Sequence, residues 1–205
     1  MASIYDLKPA FQQLLRPVMA GLIQYNITPN QVTLWALALS FVGGSLLTVF
    51  HPRPWVLLMM PIILLVRMAL NALDGMLARE RQLSTRMGEI LNELGDVISD
   101  GVLYVPLMFY LPPTFAAWSV LFLFLYLAML SEFCGVLAKC VTGVRRYEGP
   151  MGKSDRAFLV SLYCIALFFW PHVQQWSVWI FGAACLLLTT SACNRIKPLA
   201  AEQGA

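Results

Sequence analysis

Side chains that can bind a cation or move a proton are concentrated between positions 67 and 100. They recur at helical spacing in two stretches of otherwise apolar sequence. Steps of three and four residues place each set on one face of a helix. The first stripe consists of Arg67, Asn71, Asp74 and Ala78, and the second of Gly88, Asn92, Asp96 and Asp100.

Carboxylate and amide oxygens on facing helices favour a divalent metal site. The two stretches are joined by a short connection and run antiparallel, which brings Asp74 and Asp96 to similar depth. Oxygen ligands of this kind suit Mg²⁺ or Mn²⁺, with substrate phosphates completing the coordination. The predicted metal ligands are Asp74, Asp96, Asn71, Asn92 and Asp100.

A structural ion-pair network is the alternative. Arg67 has the spacing to neutralise Asp100, and Glu132 on a later segment lies at a similar depth. That network leaves Asp74 and Asp96 without an assigned cation, and ionisable groups within apolar helices are costly. We therefore favour a functional site. For Glu132 itself, we favour a pairing with Arg67 over a hydrogen bond to a polyol acceptor.

The composition indicates that these stripes lie in a membrane protein. Hydrophobic residues make up 59% of the 205 residues and charged residues 12%, which is about half the charge of a soluble domain. Turn and charged residues divide the chain into apolar segments long enough to cross a hydrocarbon core of about 30 Å. We predict an all-α integral membrane protein with six transmembrane helices, at 31–50, 54–78, 88–111, 114–139, 156–171 and 174–194.

An amphipathic helix is predicted before the first span. Apolar residues from Phe11 to Ile23 recur at steps of three and four, with Gln and Arg between them, which is typical of a helix that lies in the membrane interface. Thr28, Pro29 and Gln31 have the types and spacing of an N-cap, a first helical residue and a capping box. A well-formed helix start explains this pattern.

The distribution of Lys and Arg predicts the orientation in the membrane. Of the 14 such residues, only Arg53 falls in a connection on one side, and Arg67 falls within a span. Cytoplasmic loops carry the excess of Lys and Arg, so both termini and the polar stripes should face the cytoplasm of a bacterial inner membrane. We expect a single domain over 1–205, with an interfacial region over 1–27 and a six-helix bundle over 28–195. No nucleic-acid partner is expected.

The polar region resembles the signature of the CDP-alcohol phosphotransferases. That family carries Asp-x-x-Asp-Gly-x-x-Ala-Arg, eight residues, and Gly-x-x-x-Asp-x-x-x-Asp. The chain matches the spacing at every step, and the predicted six-span layout with an amphipathic N-terminal helix is similar as well. It departs at two of the four aspartates, where Asn71 and Asn92 stand. The matching residues are Asp74, Gly75, Ala78, Arg79, Gly88 and Asp96.

The resemblance implies an enzyme of phospholipid synthesis. Such an enzyme moves a phosphatidyl or other phospho-alcohol group from a CDP-linked donor to an acceptor hydroxyl, with release of CMP. The expected donor is CDP-diacylglycerol with a small polyol or phosphorylated acceptor, and the alternative is a CDP-linked small alcohol with a lipid acceptor. Mg²⁺ or Mn²⁺ would bridge the aspartates and the diphosphate, and Asp96 would be the base. A homodimer in contact with membrane lipids is also implied. The expected nucleotide-binding residues are Gly75, Ala78, Arg79 and Gly88, with Asn30 and Thr33 as further ligand contacts.

The two asparagines leave three outcomes open. An amide oxygen can ligate a hard cation but brings no charge, so the chain is expected to be a normal enzyme with adjusted metal binding, a single-metal or Mn²⁺-preferring enzyme, or an inactive CDP-lipid-binding homologue. We favour activity because the remaining motif positions are intact. A small ion-coupled transporter is a further alternative, but the paired broken helices typical of transporters are not found in the sequence.

A basic segment follows the fourth predicted span. Arg145, Lys153 and Arg156 lie within or beside it, among several glycines. The positive-inside bias alone predicts cations there. The functional interpretation is that these residues, with Glu132, contact an anionic acceptor or a lipid headgroup beside the metal site.

Overall fold

The structure is a computed structural model that describes residues 8–201. In that range the chain forms seven α-helices and two short 3₁₀ helices, without a strand. Residues 1–7 of the predicted interfacial region lie outside the described residues. The α-helices are α1 (Lys8–Gln24), α2 (Pro29–Val49), α3 (Trp55–Glu80), α4 (Arg86–Tyr104), α5 (Phe115–Thr142), α6 (Lys153–Phe169) and α7 (Ser177–Ala201).

Four segments of the described chain are long and apolar enough to cross a membrane. They are α2, α3, α5 and the stretch Pro171–Lys197. α4 and α6 coincide with predicted spans but fall short of this standard. α4, which carries the second stripe (called the acidic stripe below), has four acidic residues, and α6 has only 17 residues. The prediction of an all-α membrane protein is therefore confirmed, whereas six crossings and cytoplasmic termini stay predictions.

Two of the predicted spans are not continuous α-helices. The span predicted at 88–111 is α4 followed by a 3₁₀ helix, Val105–Tyr110. Pro106 has no backbone N–H to donate to the preceding turn, which ends the α-helical ladder there. The last predicted span begins in a 3₁₀ helix, Pro171–Trp176, and α7 then continues past the predicted end at position 194.

The amphipathic helix α1 packs against α3. Leu15 joins a small apolar cluster with Leu73 and Leu77 of α3. Leu14 and Val18, which belong to the same predicted apolar stripe, are exposed. One edge of the apolar face of α1 is thus buried against the protein. The other edge is exposed, where it can contact the membrane interface that the sequence predicts.

The predicted start of α2 is confirmed. Thr28 accepts a hydrogen bond from the N–H of Gln31 at 3.3 Å, and the Gln31 side chain accepts from the N–H of Thr28 at 2.9 Å. Further along, α2 approaches α4 closely at Gly44, where an added Cβ would lie 2.3 Å from the carbonyl oxygen of Val102. This contact fixes α2 beside the helix that carries the acidic stripe.

The segment between α5 and α6 folds back over one end of the bundle. α5 ends at Gly143, whose φ of 76° suits glycine. The returning backbone lies against α5 at Gly135, where a Cβ would be 2.6 Å from the carbonyl oxygen of Arg146. It is held to α7 by Ser191, whose hydroxyl accepts from the N–H of Met151 at 3.0 Å. The Arg145 side chain of this segment therefore lies against the helix bundle rather than in solvent.

Candidate functional site

The two predicted stripes meet in the structure. The Asn71 amide of α3 donates to Oδ1 of Asp96 on α4 at 3.3 Å. One helical turn away on α3, the buried Asp74 carboxylate accepts a hydrogen bond of 2.8 Å from the Thr33 hydroxyl of α2. Thr33 therefore orients an acid of the motif and is positioned by the capped first turn of α2.

Asp96 has two cationic partners. The ammonium of Lys153, at the start of α6, contacts its Oδ1, and Nη2 of Arg67 lies 3.5 Å from the same oxygen. The expectation that Asp96 has no cation is therefore wrong, because the loop before α6 returns Lys153 to the acidic stripe. Burial lowers the pKa of Lys153 below its ordinary value, and the charge of Asp96 opposes that shift.

Asp100 is engaged by two guanidinium groups. Nη1 of Arg67 lies 3.0 Å from its Oδ1, and Arg156 donates to its Oδ2 through Nε at 3.0 Å and Nη2 at 2.9 Å. The pairing of Arg67 with Asp100 that the sequence suggested is present. The place of Asp100 in a metal shell stays a prediction, and both of its oxygens face arginines in this structure.

The prediction that Glu132 pairs with Arg67 is wrong. Its carboxylate instead faces Arg145 at 2.8 Å, Arg156 at 3.1 Å and Arg195 at 3.6 Å. Equal depth along two helices does not decide which helices are neighbours. α5 packs against α7 and the folded-back segment, whereas Arg67 on α3 faces α4 and α6.

These contacts form one continuous arrangement, which we call the arginine–carboxylate network. It contains one residue from each of five helices together with Arg145 of the folded-back segment. Arg145 also pairs with Glu93 of α4 at 2.9 Å. The five helical members are Arg67, Asp100, Glu132, Arg156 and Arg195.

Arg195 is the member that sequence reasoning missed. It lies just past the predicted end of the last span at position 194, but α7 continues through it and buries it, with 1% of its surface exposed. Its Nη1 donates to the carbonyl oxygen of Ser131 at 2.5 Å. The signal in the sequence was the absence of a helix breaker between position 194 and Pro198.

The remaining predicted residues lie around the same end of the bundle. Asn92 is half-buried one turn before Asp96 on α4. Gly88 lies against Asn30, since a Cβ on Gly88 would be 2.8 Å from the Asn30 side-chain oxygen. Gly75 and Ala78 are half-buried on α3, and Arg79 is exposed.

A cavity of about 220 Å³ lies between α4 and α5. Its wall is apolar except where Asp100 and Glu132 reach it, and neither Asp74 nor Asp96 lines it. The further lining residues are Val97, Gly101, Val105, Phe122, Leu125, Ala128 and Met129.

The donor set at the motif suits a hard cation. Among the described residues, no group of three or more His, Cys, Asp or Glu side chains could hold a metal ion. The oxygens available are those of two carboxylates and two amides, and Asn71 already touches Asp96. Such oxygens fit a divalent ion whose coordination a substrate phosphate completes.

Fold and site together define a class: an integral membrane protein of bundled helices whose buried acids and cations meet at one end. The sequence comparison identifies the family. The sequence model of the CDP-alcohol phosphatidyltransferases matches residues 26–189, and the chain belongs to that family. The resemblance seen in the motif is therefore confirmed.

Relatives include proteins with and without a named activity. The inner membrane protein YnbA of Escherichia coli (strain K12) is 49% identical over 195 residues, which are 95% of each protein. The phosphatidylinositol phosphate synthase of Mycolicibacterium smegmatis is 23% identical over 204 residues, covering 96% of this chain and 90% of that protein.

Solved structures share the fold. The phosphatidylinositol phosphate synthase of Mycobacterium tuberculosis with CDP-DAG bound superposes with a TM-score of 0.71 at 22% identity, covering 90% of this chain and 92% of that one. The same enzyme in complex with manganese and citrate gives a TM-score of 0.71 at 22% identity, covering 88% and 86%.

Proposed function

We propose that this protein is a membrane phosphotransferase that moves a phosphatidyl group from CDP-diacylglycerol to the hydroxyl of a small acceptor. The observation that supports it most directly is the contact between Asn71 and Asp96, with Asp74 held by Thr33 on the adjacent helix. This contact joins the two halves of the family motif at one point. Membership of the family and the CDP-DAG-bound structure of a relative support the choice of donor.

The proposed step is a substitution at phosphorus. The acceptor oxygen forms a bond to the phosphorus that carries diacylglycerol, the bond between that phosphorus and the oxygen bridging to CMP breaks, and CMP leaves with the electron pair. The proton of the hydroxyl passes to a carboxylate oxygen of Asp96. A bound divalent cation would supply charge stabilisation for the diphosphate, and Asp74, Asp96, Asn71 and Asn92 would hold it.

The chain's own residues have separate tasks in this proposal. Thr33 fixes the rotamer of Asp74. Lys153 and Arg67 hold the Asp96 carboxylate in place between α3, α4 and α6. Gly75, Ala78, Arg79, Gly88 and Asn30 would contact the nucleotide. Asp100, the further predicted metal ligand, would have to exchange a contact with Arg67 or Arg156 for the ion.

The membrane setting completes the proposal. We infer six crossings with both termini and the site at the cytoplasmic face of the inner membrane, and a homodimer as the assembled form. The excess of Lys and Arg at the motif end of the bundle supports this orientation. The name of the Escherichia coli relative is consistent with the inner membrane.

The decisive experiment measures CMP release by the purified protein. CDP-diacylglycerol, Mg²⁺ or Mn²⁺ and a panel of acceptor alcohols are supplied in mixed micelles. We expect release that Asp96→Asn lowers by about a hundredfold or more, which is the usual range for loss of a general base. Glu80→Gln, an exposed acid at the end of α3, is the matched control and should keep the wild-type rate.

Two results would contradict the proposal. An unchanged rate in Asp96→Asn would exclude that residue as the base. Binding of CDP-diacylglycerol without CMP release by the wild-type protein, with every acceptor and both metals, would instead favour an inactive binding homologue.

A further inference from the structure

Three arginines from three separate segments converge on one carboxylate. Arg145 belongs to the folded-back segment, Arg156 to α6 and Arg195 to α7, and Glu132 is the only acidic residue of α5. Oε2 of Glu132 lies 2.8 Å from Arg145 and 3.6 Å from Arg195. Oε1 accepts from Nη1 and Nη2 of Arg156 at 3.2 and 3.1 Å. Both oxygens therefore have arginine partners.

The cluster is largely buried, and Glu132 reaches the cavity between α4 and α5. The side chains of Arg156 and Arg195 are 1% and 2% exposed, and those of Arg145 and Glu132 are 11% and 12% exposed. Guanidinium groups gathered in this way recognise phosphate through paired charge-assisted hydrogen bonds. In this chain, the carboxylate of Glu132 accepts the arginine contacts that a phosphate group would otherwise accept.

A phosphorylated acceptor would meet repulsion here. A phosphate monoester carries a charge of about −1.5 to −2, and Glu132 would lie within contact distance of it in a site with little water to screen the two charges. Asp100 adds a second carboxylate, because Arg156 bridges it to Glu132. The cavity beside them offers apolar walls and these two acids, but no further cation.

An uncharged alcohol meets no such cost. Its hydroxyls can donate to the carboxylates of Glu132 and Asp100 that reach the cavity. The cavity thus offers hydrogen-bond acceptors to the hydroxyls of a polyol.

We propose that Glu132 is a specificity-determining residue: it neutralises the arginine cluster as an internal anion, so that the acceptor is an uncharged polyol without a phosphate group. The inference rests on the proposed transferase function and names its acceptor class. The inferred acceptor class differs from the one that the name of the relatives, phosphatidylinositol phosphate synthase, would suggest for this chain.

The test compares matched acceptors and uses a second readout that needs no turnover. CMP release from CDP-diacylglycerol is followed with glycerol against glycerol 3-phosphate, and with myo-inositol against its 1-phosphate. Separately, the shift in unfolding temperature on adding inorganic phosphate is measured. The variants are Glu132→Gln, which removes the charge at nearly constant shape, and Glu89→Gln, a control at an exposed pair with Lys139.

We expect the wild type and Glu89→Gln to release CMP with the unphosphorylated alcohols, and their unfolding temperature to be insensitive to phosphate. Glu132→Gln should be stabilised by phosphate, and its preference should shift toward the phosphorylated acceptors by at least about tenfold, because one buried charge is removed. A wild-type protein that is stabilised by phosphate, or that prefers the phosphorylated acceptors, overturns the inference.

The outcomes separate this inference from the proposed function. Preferential use of a phosphorylated acceptor by the wild type leaves the transferase standing and rejects the role of Glu132. An absence of CMP release with every acceptor rejects the transferase, while the phosphate-binding readout still decides whether Glu132 excludes anions. If Glu132→Gln folds only in phosphate buffer, that rescue supports the inference. Glu132→Asp, which keeps the charge, should remain insensitive to phosphate.

Discussion

At the residue scale, the proposed chemistry depends on the contact between Asn71 and Asp96. An amide beside a carboxylate needs no neutralising cation, since its N–H donates to the acid. Two aspartates at the same distance would repel one another unless a metal ion or a cation lay between them. Asn71 therefore lowers the negative charge around Asp96 relative to an aspartate at the same position, and Lys153 contacts the same carboxylate.

Restoring the two aspartates should change metal binding. The double variant Asn71→Asp with Asn92→Asp adds two negative charges beside Asp96, and we expect Mg²⁺ affinity to rise by at least about tenfold. Titration calorimetry or Mg²⁺-dependent unfolding temperature measures this. Gln13→Glu, which adds a charge on the exposed side of α1, should leave the affinity as it is. Equal or weaker Mg²⁺ binding by the double variant would place both positions outside the metal shell.

At the element scale, the approach of α2 to α4 positions the site. Thr33 on α2 bonds to Asp74 of α3, and Gly44 on the same helix lies against the backbone of α4 at Val102. The arginine–carboxylate network then connects α3, α4, α5, α6 and α7. Removing one partner of a buried ion pair costs about 3–5 kcal/mol because the other charge is left unpaired. Loss of a single member of the network should therefore destabilise the packing of the helices that carry the site.

Widening the α2–α4 contact should destabilise the protein. In Gly44→Ala the new methyl group would lie 2.3 Å from the carbonyl oxygen of Val102. A backbone atom cannot rotate away, so the helices must separate, at a cost of about 1–3 kcal/mol. Thermal unfolding in detergent measures the loss. Gly182→Ala on α7 is the matched control, since a Cβ there meets nothing within 4 Å. Equal unfolding temperatures for the two variants would mean that the close contact is not maintained.

At the scale of the whole molecule, polar and apolar regions are segregated. The motif and the arginine–carboxylate network occupy one end, whereas the aromatic side chains of Tyr104, Phe124, Tyr163 and Phe181 pack in the core. Large apolar side chains are exposed on the outer faces of the long helices, for example Leu186 at 72%. Such surfaces suit contact with lipid chains and not with water.

The proposed orientation can be tested by labelling intact cells. Starting from a variant with Cys140→Ser and Cys193→Ser, which removes the exposed thiols, single cysteines are introduced as Arg53→Cys between α2 and α3 and Ser84→Cys between α3 and α4. A membrane-impermeant maleimide should label only the first in intact cells and both after permeabilisation. Labelling of Ser84→Cys alone in intact cells would reverse the orientation.

The sequence alone determined what depends on local spacing. The cap of α2 by Thr28 and Gln31 is formed within four residues, and the facing stripes of α3 and α4 follow from helical periodicity and a short connection. The family motif is likewise a matter of spacing along some 26 positions. Each of these features needs only a helix and its neighbour in the chain.

The tertiary structure alone decided which charges meet. Lys153 reaches Asp96 across 57 positions, and Arg195 reaches the Ser131 carbonyl beside Glu132 across 64. Helical periodicity gives the face and depth of a side chain but not the identity of the helix opposite. That identity depends on how α5, α6 and α7 pack, and on the return of the folded-back segment over Gly135. For this reason the partner expected for Glu132 was Arg67, whereas the fold supplied three other arginines.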